Sequence, residues 1–241
     1  MAVSAPSDGA SGSLHSVLES AGAVFSLREG RAIVLHYGSP AGELAVCIRA
    51  IGLLDRSELT KLVVEAPPAQ LSHLLARMTG EVVVPGGALN ADGAWWCGAA
   101  EGRVVVVCEP HVGARLLGRL RAQTTHQVAV TTHDRTLDWA AIGVVGRSAA
   151  RLLSALGVYG ESGDPRRAAP FSSHGLAGTD AMWLLESDHR ALVLVPAGSA
   201  GAAWRAIEQA GRPFGISCVG TEAARRYALL ERASAPAAPV H

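Results

Sequence analysis

Glu186-Ser187-Asp188-His189-Arg190 is a run of side chains able to do chemistry, and it lies between two apolar runs. Carboxylates so placed accept hydrogen bonds from ligand N–H groups, or they solvate the turn of a hairpin. Asp92 stands beside Gly93, a pairing that closes tight turns. Cys47, Cys97, Cys108 and Cys218 lie far apart with no C-x-x-C pair. Three of them sit inside apolar runs, which reads as buried thiols in a reducing, cytoplasmic compartment. His126 and His133 are near in sequence but lack a third residue at ligand spacing, so no metal site is expected. Gly143-Val144-Val145-Gly146 lacks the full G-x-G-x-x-G pattern and any P-loop lysine, and reads as a tight strand-to-helix turn. No G-x-S-x-G elbow occurs, so a serine hydrolase is unsupported.

These residues must be held by a scaffold, and its elements are legible in the apolar spacing. Ala23–Leu27 and Ala32–His36 flank Glu29-Gly30 and predict a hairpin. Pro40–Ile51 has helical spacing, Leu59–Glu65 reads as a strand, and Pro67-Pro68 opens a helix through Met78. Leu89–Ala99 and Arg103–Cys108 read as strands, Val112–Ala122 as a helix and Gln127–Thr131 as a further strand. Trp139–Val145 is a strand before a helix over Ser148–Leu156. Ala181–Glu186 and Ala191–Val195 are strands, and Ser199–Ala210 and Thr221–Arg232 are helices. In Trp95-Trp96, alternation turns one ring inward and the other toward a cleft or an interface.

The elements recur. Asp55-Arg56-Ser57 and Asp134-Arg135-Thr136 each introduce a strand and an Ala/Leu-rich helix. Asp92, Trp95, Arg103 and Pro110 are echoed in order by Asp180, Trp183, Arg190 and Pro196. Near-constant spacing of such landmarks predicts an internal duplication. It would comprise halves at 14–126 and 127–233 between disordered tails at 1–13 and 234–241, packed about a pseudo-two-fold axis with a cleft between them.

Composition bounds the function class. With 49% apolar and 17% charged residues, the 241-residue chain reads as globular. Basic and acidic residues balance at 21 each without a basic face, which argues against nucleic acid and anionic membrane as partners. The N-terminal segment lacks the basic and apolar regions of a signal peptide. The most apolar stretch is broken by Glu101 and Arg103, so no membrane span is expected.

Four motifs in collinear order resemble the glycine-cleavage T-protein (aminomethyltransferase) family. They are Gly52-Leu53-Leu54-Asp55-Arg56-Ser57 with Ala45-Val46 upstream, Leu89-Asn90-Ala91-Asp92-Gly93, Val145-Gly146-Arg147-Ser148-Ala149, and Val195-Pro196 with Ala203-Trp204. A further resemblance is to the γ subunit of heterotetrameric sarcosine oxidase, which shares the folate-binding-type fold without the T-protein's C-terminal barrel. The resemblance implies an α+β, duplicated T-protein-like fold around a central cleft, with the C-terminal barrel absent. It also implies a tetrahydrofolate pocket. The family's pterin-binding glutamate aligns with Asp188, with Glu186 as fallback. Asn90 and Asp92 occupy the "LN-x-x-G" turn, and Arg226 or Arg225 corresponds to the arginine that precedes the barrel. The family's catalytic aspartate falls at Cys97 or Gly98, neither of which is a carboxylate, and the "KGC" motif of the iron–sulfur assembly relatives is absent.

The expectation is an accessory or binding subunit with a degenerate tetrahydrofolate pocket, non-catalytic by itself. It would serve an amine oxidase or one-carbon-transfer partner, or a homo-oligomer. The alternative is a small folate-dependent aminomethyl or methyl transferase with a non-standard site.

Overall fold

The order of elements explains how distant acidic and basic residues reach one cleft. The computed structural model describes residues 12–124, 129–160 and 169–234. It runs α1 (Gly12–Ser20), β1 (Val24–Arg28), β2 (Arg31–His36), α2 (Pro40–Arg49), β3 (Ile51–Asp55), β4 (Thr60–Glu65) and α3 (Pro68–Thr79). There follow β5 (Ala88–Ala91), β6 (Ala94–Ala100), β7 (Arg103–Cys108), α4 (Pro110–Thr124), β8 (Thr131–Asp134), β9 (Trp139–Val145) and α5 (Ala149–Ala155). The chain continues through β10 (Phe171–Ser173), β11 (Met182–Ser187), β12 (Arg190–Pro196), α6 (Ala200–Gly211), β13 (Ile216–Cys218) and α7 (Thr221–Ser234). Among the described residues no helix is long and apolar enough to cross a membrane.

Strands β1 and β2 pair as a two-stranded hairpin; of the two large sheets, one has the order β10-β11-β12-β9-β3-β13 and the other β5-β6-β7-β4-β8. Period-two alternation sends successive side chains to opposite faces. Val104 and Val106 of β7 therefore meet α3 and α4, while Val105 and Val107 face the other sheet. Ala140, Ile142 and Val144 of β9 pack with α1, α5 and α6, while Ala141 joins the layer between the sheets. The result is an α+β arrangement of two stacked sheets with helices on both outer faces. Helices α2 and α7 form a separate small cluster around Cys47, Leu54, Val145 and Tyr227.

The strand orders correspond: β5-β6-β7-β4 in one sheet matches β10-β11-β12-β9 in the other. The next strand is exchanged. Strand β3 leads into β4 but pairs with β9, and β8 leads into β9 but pairs with β4. At the two crossings Asp55 Oδ1 accepts from Ser57 N at 3.0 Å, and Asp134 Oδ1 accepts from Thr136 N at 2.9 Å. The hydroxyls reach across: Ser57 Oγ accepts from Ala141 N at 3.3 Å and Thr136 Oγ1 from Lys61 N at 3.1 Å. Lys61 is fully buried there, its ammonium donating to the carbonyl oxygens of Ser57 at 2.7 Å and Thr136 at 3.2 Å.

Several elements differ from expectation. Leu89–Ala99 is two strands, because Asp92 and Gly93 adopt positive φ of 53° and 78° and reverse the chain. The helical spacing expected through Ile51 stops at Arg49, and Ile51 begins β3. Helix α1 and the short strands β10 and β13 carry too few patterned residues to stand out. Of the strand expected at Gln127–Thr131, residues 127–128 lie outside the described residues, as does His126, and β8 begins at Thr131. Most of both terminal segments expected to be tails also lies outside them. Residues 12 and 13 belong to α1, and Ser234 closes α7.

Candidate functional site

A cleft of about 220 Å³ opens on the face of the first sheet, between α7, the β11–β12 hairpin and the turn that links β3 to β4. Its floor is Leu54, Gly143, Val145 and Leu192. Gly143 is required there: a Cβ would lie 2.4 Å from Leu54 Cδ2 and 3.5 Å from Arg56 Cγ. The bare backbone lets the Arg56 stem lie across the floor. Arg28, Arg56, Arg190, Arg225 and Arg232 line the cleft with Glu58, Glu109 and Glu186.

Arg56 is clamped. Its Nε donates to Glu58 Oε1 at 2.7 Å and its Nη2 to Glu109 Oε1 at 2.6 Å. Burial works against its charge, but Glu58 and Glu109 outweigh that and hold the guanidinium protonated. Glu58 is itself buried, which raises its pKa in spite of Arg56. On the opposite wall, Arg190 Nη1 lies 3.8 Å from Glu186 Oε2, and its Nε lies 3.0 Å from Glu231 Oε2. Glu231 Oε1 accepts from Ser187 Oγ at 2.8 Å, tying the C-terminal turn of α7 to the hairpin. Burial raises the Glu186 pKa, Arg190 and Arg56 offsetting only part of the effect. Among the described residues its carboxyl accepts no hydrogen bond. Beside two guanidinium groups, a carboxyl can accept from a ligand N–H when ionised and donate to a ligand oxygen when protonated, and burial favours the second form.

Of the residues singled out by resemblance, Glu186 lines the cleft. Asp188 is exposed at the tip of the same hairpin and is not part of the lining. Asn90 is exposed on β5, opposite Trp95. Asp92 sits in the β5–β6 turn, paired with Arg119 at 2.7 Å. Arg226 faces away and pairs with Glu222, while its neighbour Arg225 lines the cleft. Cys97 is fully buried between the sheets, where burial raises its thiol pKa well above the ordinary range. Gly98 has no room for a side chain, since a Cβ would fall 2.0 Å from Val84 O. Trp96 packs beneath the helices and Trp95 in the layer between the sheets, so neither ring lines the cleft. The cysteines are all free.

Arg56, Glu58 and Glu109 were not anticipated as site residues, and Arg190 was noted within the Glu186–Arg190 group and as a repeat landmark without a role of its own. Asp55-Arg56-Ser57 drew notice as a repeat landmark, and Glu109 drew none. A charge pressed between apolar runs was the available signal in both places.

No protein-family model matches the sequence, and no curated protein matches it. The fold has solved counterparts. The glycine cleavage system aminomethyltransferase T from Bartonella henselae superposes with a TM-score of 0.70 over 87% of this chain, at 17% identity. The chain spans 59% of that protein's length. A chain of the heterotetrameric sarcosine oxidase from Corynebacterium sp. U-96, solved in complex with pyrrole 2-carboxylate, superposes with a TM-score of 0.57 at 18% identity. That match covers 75% of this chain and 95% of the other. The chain therefore has the T-protein-like fold, shared with a chain of the heterotetrameric sarcosine oxidase.

Proposed function

We propose that the protein is an accessory subunit of an amine-oxidising or one-carbon-transferring assembly, in which the cleft is a reduced tetrahydrofolate-type pocket centred on Glu186. The observation that carries this reading is the Glu186 carboxyl, lining the cleft with no hydrogen bond among the described residues and facing two arginines. By resemblance the family's catalytic aspartate aligns with Cys97 or Gly98, and neither the buried thiol nor the glycine is a carboxylate, which favours a binding role over the transferase alternative. The likeness to nearly the whole length of a sarcosine oxidase chain supports a protein partner. The same reading takes 14–126 and 127–233 as duplicated halves, supported by the matching strand orders, with the cleft drawing on both.

Calorimetric titration with tetrahydrofolate tests the pocket. Binding in the wild type is expected to weaken by roughly tenfold or more in Glu186→Gln, the loss of one charge-assisted hydrogen bond. Asp188→Asn, outside the cleft, is expected to leave it unchanged. No heat at millimolar ligand, or an affinity insensitive to Glu186→Gln, would remove the folate role.

A further inference from the structure

Arg56 is the residue of the cleft whose chemistry is most completely specified by its surroundings. Two of its three nitrogens are committed, Nε to Glu58 and Nη2 to Glu109. Its stem lies over Gly143, where no side chain can displace it. The third nitrogen, Nη1, donates to nothing among the described residues. A guanidinium is planar, so fixing two nitrogens also fixes the direction in which the third presents its N–H groups. Glu186, on the other side of the same cleft, likewise accepts no hydrogen bond among the described residues, and the two groups are electrostatically coupled.

We propose that Arg56 is a specificity-determining binding residue: clamped by Glu58 and Glu109, it donates from Nη1 to a ring carbonyl oxygen of the ligand, while Glu186 accepts from the adjacent N–H. The ligand class is a heterocyclic lactam, a C=O beside an N–H in one ring. The assignment rests on the folate reading above and extends it to Arg56, which that reading does not use. A cleft of about 220 Å³ is below the usual size of sites that enclose a whole drug-sized molecule, so it accommodates a bicyclic head and leaves any tail outside. At the mouth, Arg28 and Arg225 have no carboxylate partner among the described residues, and Arg232 Nε donates to the carbonyl oxygen of Ala228 at 3.3 Å. These arginines suit an anionic tail leaving the cleft.

The test uses the full chain and three probes: tetrahydrofolate, a reduced pterin head group without a tail, and the diamino analogue in which an amino group replaces the ring carbonyl. A site built to donate to a carbonyl oxygen rejects the analogue that presents a donor there. Wild type is expected to bind the carbonyl head group about tenfold or more tighter than the diamino analogue. Arg56→Lys retains a positive charge between Glu58 and Glu109 but lacks the third donor edge, and is expected to lower that preference; the part that remains reflects the ring N–H facing Glu186, which the diamino analogue also lacks. Arg56→Met provides a second variant without any donor, and thermal unfolding establishes that each variant is folded. A general structural role would lower both affinities together and leave their ratio intact. A wild-type ratio near one, or a ratio retained in full in folded Arg56→Lys, overturns the role of Arg56 while Glu186 still governs affinity. Failure of wild type to bind either tetrahydrofolate or the head group overturns the folate reading and this assignment with it.

Discussion

Replacing Gly220 with alanine should destabilise the protein by at least about 3 kcal/mol, because the added methyl collides with backbone and not with a movable side chain. A Cβ at this position would fall 1.9 Å from Leu35 O, 2.2 Å from the carbon that bears it, and 2.5 Å from His36 N. Relief requires strand β2 or helix α7 to move, and both are pinned. Gly220 N donates to Glu43 Oε2 at 2.7 Å, and Tyr37 N donates to Glu43 Oε1 at 2.7 Å. Thr221 Oγ1 donates to Val34 O at 3.0 Å. The buried Glu43 carboxylate thus joins the loop after β2 to the start of α7, and displacing either segment leaves buried N–H groups unpaired. For a chain of this size the loss corresponds to a fall in melting temperature of roughly 10 °C. Gly118→Ala is the matched control: a Cβ there meets nothing within 4 Å, and helix propensity favours alanine. A Gly220→Ala variant that melts within a degree of wild type would mean that β2 and α7 do not approach so closely.

The second large effect is a pH dependence. Lys61 is buried at the strand crossing, and burial lowers its pKa from the ordinary lysine value of 10.5 to about 8, with Asp55 and Glu58 offsetting part of the shift. Between those two values the unfolded chain binds more protons at this site than the folded one, so the Lys61 contribution to stability rises with pH. It is complete above the unfolded value and is lost as pH falls through the folded one. The contribution is on the order of 3 kcal/mol across the window. Buried thiols act in the opposite sense at high pH, since burial raises the pKa of Cys47, Cys108 and Cys218. The measurement is therefore the difference between wild type and Lys61→Met in urea unfolding from pH 7 to 10.5. Wild type should gain on the variant as pH rises. A constant difference would mean that Lys61 titrates as a solvated lysine.

What the sequence disclosed and what it withheld divide along physical lines. Strong local periodicity gave β7 and β9 their observed bounds, and Pro67-Pro68 marked the start of α3 because proline suits a first helical turn. Asp92-Gly93 was visible as a turn, yet the apolar residues on either side still read as one strand. The exchange of β3 and β8 had no local signature. Which sheet a strand joins depends on where the chain turns at Asp55 and Asp134, and period-two alternation looks the same in either sheet. The cleft was legible at Glu186 through resemblance. Arg56 and Glu109 lie 53 positions apart, and only the folded turn after β3 brings them to 2.6 Å. Charges that satisfy one another across such a separation leave no spacing rule to detect.

The exchanged strands also decide how the molecule comes apart. A polypeptide ending at residue 126 would retain β3 without its neighbour β9, and β4 would lose the pairing that β8 supplies. The remainder would begin with a strand whose partner is missing and would lack β3 beside β9. Neither piece holds either of the two large sheets complete, so neither has the contacts to stand as an autonomous folding unit. Intact protein should accordingly melt in one calorimetric transition whose van't Hoff and calorimetric enthalpies agree, and the two fragments should regain structure only when mixed. Two resolved transitions would show that the sheets are energetically separable. In a single transition, damage to either sheet is felt by both, and the cleft, which takes walls from each side of the crossing, is lost in the same step.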